Sequence, residues 1–85
     1  MTKIICNVNL FDEKQTIHEY SFDTNNIVNT IECSTMQLPD CLANFNSEIE
    51  LRGQKQYLTK IAYLIKKSNK YNKNARIFIN GEIFN

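Results

Sequence analysis

The segment Gln54 to Lys70 constrains the fold of this chain more than any other. At about 100° per residue, Tyr57, Leu58, Ile61, Ala62, Leu64 and Ile65 fall on one broad apolar stripe. Lys55, Lys60, Lys66, Lys67 and Lys70 fall on the opposite face, with Tyr63 among them. Such a helix must lay its stripe on a second apolar layer. With 85 residues the chain has material for one such layer, so residues 1–85 are expected to form a single domain.

The flanking segments read as the sheet that receives this helix. Lys3 to Phe11 alternates, with Ile4, Cys6, Val8 and Leu10 on one side and Asn7 and Asn9 on the other, as in a half-buried strand. Asp12 to Gln15 is a polar turn. Thr16 to Phe22, rich in β-branched and aromatic residues, reads as the returning strand of an antiparallel hairpin. Asp23 or Thr24 can cap a following helix carrying Ile27, Val28 and Ile31, which is expected to end before Leu38-Pro39. Pro39 opens a second short helical turn, Asp40 to Phe45, that carries Leu42 and Phe45 to the core. Glu48 to Arg52 alternates as a strand that Gly53 ends. Ala75 to Asn80 is another strand, and Asn80-Gly81 sends Glu82 to Phe84 back as a short arm. The expected fold is an α+β two-layer sandwich: a mixed sheet with helices on one face, ordered β-β-α-β-α-β with a terminal β arm. Strand 49–52, helix 54–70 and strand 75–80 form a parallel βαβ unit within it.

Composition narrows the class. A hydrophobic fraction of 42% with 22% charged residues belongs to a globular domain rather than a disordered tail. No apolar run approaches the roughly 20 residues of a membrane helix. Asn7 and Asn9 interrupt the N-terminus before a signal-peptide core could form, so a cytoplasmic location is expected. Three cysteines, Cys6, Cys33 and Cys41, are an odd number without a close pairing motif, and are expected to be reduced and structural. Heavy use of Asn, Ile and Lys, with no Trp, points to an AT-rich coding genome such as a low-GC bacterium or its phages and plasmids.

The net charge of +1 conceals a segregation. Residues 1–42 hold two lysines against six carboxylates, a net −4, and residues 43–85 hold eight cations against three carboxylates, a net +5. Such asymmetry suits an anionic partner or head-to-tail self-association.

No constellation carries catalysis. His18 stands alone, and Cys33 and Cys41 enclose seven residues, so the close ligand spacing of a zinc site is missing. Glu48 and Glu50 share a strand face about 6.5–7 Å apart, a spacing usable for acid–base work, but on a side expected to be wet. The turn Arg52-Gly53-Gln54-Lys55 brings two cations to a helix N-terminus, where free N–H groups favour anions. A single glycine is no phosphate-loop fingerprint. No catalytic residue, cofactor or metal is therefore expected.

The expected function is that of a small non-enzymatic binding module acting through a protein–protein or self-association interface. Ile83 and Phe84 are candidate contacts, because the terminal arm needs a covering surface. The alternative is nucleic-acid binding by the face made of Arg52, Lys55, Lys60, Tyr63, Lys66, Lys67 and Lys70. Lysines there would neutralise phosphates while the tyrosine ring stacks on a base. Scarce arginine weakens that alternative.

Overall fold

Strand β1 (Thr2–Asn7) forms an antiparallel hairpin with β2 (Lys14–Ser21), and β3 (Ile27–Ser34) extends it antiparallel on the far side of β2. A 3-10 turn (Thr35–Gln37) leads into the short helix α1 (Leu38–Ala43), with Pro39 in its first turn. Strand β4 (Glu48–Arg52) then lies parallel to β1 on its other side, Ile4 beside Ile49 and Cys6 beside Leu51. Helix α2 (Lys55–Lys67) crosses to β5 (Ile77–Ile79), which is parallel to β4, and β6 (Glu82–Phe84) returns antiparallel. These elements come from a computed structural model that describes all 85 residues. The result is a mixed six-stranded sheet in the order β3-β2-β1-β4-β5-β6, backed on one face by both helices.

One core joins the layers. Alternate residues of the strands, namely Ile4, Cys6, Ile17, Cys33, Ile49, Leu51, Ile77 and Ile79, point to the helical side. Leu38 and Leu42 of α1 and Leu58, Ile61, Ala62 and Ile65 of α2 meet them there. The predicted stripe of α2 is thus buried, except that Tyr57 lies at its margin and Leu64 is half exposed. Leu64 instead faces a groove beside Met36 and Pro39.

Three expectations are corrected. Residues 27–34 form a strand, not a helix, so the order is β-β-β-α-β-α-β-β and the first helix is the turn that Pro39 opens. The spacing of Ile27, Val28 and Ile31 fits a helical face, but Ile27, Val28, Thr30 and Ile31 are all β-branched and favour extended backbone. Asp23-Thr24-Asn25-Asn26 is a hairpin turn. Asn25 takes the left-handed conformation at φ 59°, which asparagine tolerates, and Ser21 N–H donates to Asn26 O at 2.9 Å. The first strand also ends at Asn7 rather than Phe11, because Asp12 N–H donates back to Asn9 O at 3.1 Å and starts the turn there.

The third correction concerns the cysteines. Cys33 and Cys41 form a disulfide and only Cys6 is free. The turn at 35–37 reverses the chain between β3 and α1, which brings the two Cα atoms to 6.8 Å, within reach of a bridge. Sequence spacing alone does not show that reversal.

Gln15, the one buried polar side chain, ties this corner together. Its Nε2 donates to Asn9 O at 2.7 Å and to Thr35 Oγ1 at 2.9 Å, and its Oε1 accepts from Asn9 N–H at 3.1 Å. The β1–β2 turn is thereby fastened to the start of the 3-10 turn.

Gly53 makes the turn from β4 into α2. Its φ is +144°, and a Cβ there would stand 2.7 Å from the Val8 carbonyl oxygen. Gly53→Ala is therefore expected to lower stability by about 2–3 kcal/mol, readable as a fall in chemical-denaturation midpoint at unchanged slope. Opening the Cys33–Cys41 bridge frees a short loop, and loop-closure entropy sets the loss at about 2–3 kcal/mol. Reduced protein should melt roughly 8–20 °C below oxidised protein in paired calorimetric scans.

Candidate functional site

The chemistry-bearing residues are kept apart. His18 stands beside Ile5 in the register, whereas Cys6 stands beside Ile17, so imidazole and thiol lie on opposite faces of the hairpin. Burial pushes the Cys6 thiol up to about 11, which keeps it protonated and a poor nucleophile at neutral pH. His18 Nδ1 instead lies 3.2 Å from Thr30 Oγ1 on β3. Glu48 and Glu50 do share the face away from the helices, but each meets an arginine: Glu48 pairs with Arg76, and Glu50 Oε2 lies 3.8 Å from Arg52 Nε. Gly81 N–H also donates to Glu50 Oε2 at 2.8 Å.

The candidate lysine face is divided. Lys55, Lys60, Tyr63, Lys66 and Lys67 project from α2, and Lys70 lies in the loop beyond its end. Lys67 Nζ sits 4.6 Å from the centre of the Tyr63 ring, and Lys66 Nζ sits 5.1 Å from that of Phe84. Both ammonium groups thus have intramolecular aromatic partners, and one face of the Tyr63 ring is already covered. Arg52 is not with them: it lies on the open sheet face beside Glu50. At the helix N-terminus, Asn80 closes the turn, accepting from Gly53 N–H at 3.1 Å and donating to Gly53 O at 3.1 Å.

The other candidate pair is split too. The register sets Ile83 beside Phe78 on the open face and Phe84 beside Ile77 on the helical face, where it packs against the core. Ile83 is half exposed.

The open sheet face carries a surface that the alternation of the strands did not reveal. The registers align one row across all six strands: Thr30, His18, Ile5, Glu50, Phe78 and Ile83. Tyr20 and Lys3 stand in the row below, with Phe22 at the end of β2. His18 and Tyr20 meet edge to face at 6.2 Å, and the Arg76 guanidinium lies 5.8 Å from the centre of the Phe78 ring. Between them runs a shallow groove of about 290 Å³ lined by Lys3, Ile5, Phe22, Glu50, Arg52 and Phe78. Ile5 is buried at its floor although no helix covers it. The sequence held one signal of this: Ile4-Ile5-Cys6 is apolar without alternation, which a strand shows when both faces are covered.

No helix is long and apolar enough to cross a membrane. Comparison with protein-family models, curated proteins and solved structures finds no match to the chain.

The buried thiol gives a pH dependence with a definite sign. The folded chain holds the Cys6 proton to about 11 while the unfolded chain releases it near 9.0, so stability is lost as pH rises through that interval. Wild type should lose about 2 kcal/mol more than Cys6→Ala between pH 8 and 10.5 in parallel urea titrations.

Proposed function

We propose that the chain is a non-enzymatic binding module and that the open face of its sheet is a protein–protein interface. One observation carries this reading: Ile5, Phe78 and Ile83 stand in one row interrupted by Glu50, with Phe22 lining the same groove, on a face that no helix of the chain covers. Around that row stand His18, Tyr20, Arg52 and Arg76, the aromatic and arginine residues that protein interfaces favour over lysine. Each arginine has a glutamate partner on the same face, Arg52 with Glu50 and Arg76 with Glu48.

Nucleic-acid binding by the helix lysines is the rival. It draws on the +5 charge of residues 43–85, and is weakened by the engagement of Lys66 and Lys67 with Phe84 and Tyr63. A cytoplasmic location belongs to the same proposal. It requires the Cys33–Cys41 bridge to stand reduced in the cell, since cytosolic thiol systems keep such pairs open.

Affinity capture from the source cells separates the two functions. Phe22→Asp combined with Ile83→Asp should lose the captured protein by at least about tenfold, while Lys66→Glu with Lys67→Glu retains it. Partner capture undiminished by the open-face changes rejects the proposal. Salt-sensitive oligonucleotide binding that disappears in the lysine variant transfers the function to α2.

A further inference from the structure

We infer that β3 is a homodimerisation edge, pairing antiparallel with β3 of a second copy about a twofold axis at Thr30. This deepens the protein-binding reading by assigning a partner, but it uses the border of the sheet rather than its face.

The main-chain bonds fix which groups are free. Thr35 N–H donates to Glu13 O and Phe22 N–H donates to Met1 O, so odd residues of β2 bond toward β3 and even ones toward β1. On β3, Asn29, Ile31 and Cys33 therefore turn their main-chain groups toward β2, and Thr30, Glu32 and Ser34 turn theirs outward. The Thr30 N–H donates only to the adjacent Asn29 Oδ1, at 3.0 Å, a local contact that a strand carbonyl can replace. β3 spans eight residues, its side chains from Ile27 to Glu32 are exposed, and it carries no lysine or proline. Those residues usually blunt an edge; what β3 does carry is a bulge at Val28, where the pairing steps from Glu19–Asn29 to Tyr20–Ile27, so its regular edge runs from Asn29 to Ser34. The opposite edge, β6, is three residues long and holds Glu82.

The single charge of the strand selects the partner and the register. Parallel, in-register stacking would set Glu32 directly on Glu32, which is unfavourable. Antiparallel pairing must bring outward-bonding residues opposite one another, which permits an axis at Thr30 or one at Ile31, the bulge at Val28 bounding the regular ladder in either case. At Ile31 the two Glu32 side chains stand two residues apart, about 7 Å; at Thr30 they stand four apart, about 13 Å and beyond the screening length. The Thr30 axis also sets threonine opposite threonine, a favourable cross-strand pair. It brings Ile31 diagonally onto its symmetry mate, covering a side chain the helical layer leaves 36% exposed. The six-stranded sheet then continues across the axis into the second copy.

Equilibrium sedimentation at about 5–300 µM suits a contact of one strand pair, which lies at the small end of stable interfaces. The mass of wild type should rise with concentration from 10.0 kDa toward the dimer. Thr30→Lys and Thr30→Glu should each remain monomeric, because like charges would face across the axis, and should unfold cooperatively near the melting temperature of wild type at concentrations where wild type is monomeric. An equimolar mixture of the two should dimerise. Independently of any variant, the Thr30 and Glu32 amides should gain about tenfold protection from hydrogen exchange on concentration, well above any gain at Asn29 and Ile31. A wild type that stays monomeric, a dimer that persists in Thr30→Lys, a mixture that fails to associate, or unchanged Thr30 and Glu32 exchange each overturns the inference. Phe22→Asp with Ile83→Asp should leave the dimer intact, so failure of the open-face reading and failure of this one give different results.

Discussion

Everything in this domain hangs on β1, which receives two different kinds of partner. On one side it bonds β2 antiparallel through a short local turn; on the other it bonds β4 parallel across nearly the whole first half of the chain. Its residues Ile4 to Cys6 are buried on both faces, by the helical layer below and by the aromatic groove above. The parallel contact is the demanding one, because it closes a loop of more than forty residues before any ladder bond forms. Helix α1 and the Cys33–Cys41 bridge lie within that loop and shorten it. Gln15 does the same for the hairpin, binding the 3-10 turn to the β1–β2 connection, so each route back to β1 is fastened at a polar or covalent point.

The parts of the fold that were legible in the sequence are those whose period admits one reading. Helix α2 spans thirteen residues, long enough for the 3.6 period to separate Leu58, Ile61 and Ile65 from the lysines. Glu48 to Arg52 alternates cleanly, and Asn80-Gly81 is a turn dipeptide with left-handed backbone at both residues. Residues 27–34 were not legible, because a short apolar set spaced one and four apart satisfies a helix and an edge strand alike. The decision was made outside that window: Asn25 reverses the chain so that β2 can bond a third strand. The bridge was hidden for the same reason, since it depends on a chain reversal at 35–37 that only tertiary packing supplies.

The candidate surfaces show a different limit. A lysine stripe is visible in sequence, but its availability is not; Lys66 is drawn to Phe84, which arrives from the far end of the chain. The row from His18 to Ile83 is assembled from six strands, and its members are adjacent only through ladder registers. Sequence periodicity says which side of its own strand a residue occupies. It does not say that Phe78, Glu50 and Ile5 line up.

Size explains why surfaces remain to be used. A six-stranded sheet has two faces and two edges, and this chain has one short helix and one of thirteen residues to cover them. Both go to one face, where burial of Leu38, Leu42, Leu58, Ile61 and Ile65 builds the core. A domain of 85 residues cannot add a second helical layer, so the other face is dressed by its own aromatics and ion pairs, and β3 is left with its outer main-chain groups free. Those two surfaces differ in the groups they present. The face offers shape and side-chain chemistry to any complementary protein, whereas the edge offers main-chain groups that only another extended strand can satisfy. The helical layer that stabilises the sheet thus leaves an uncovered face and an unpaired edge on the opposite side and at the far border, where changes to one need not disturb the other or the core.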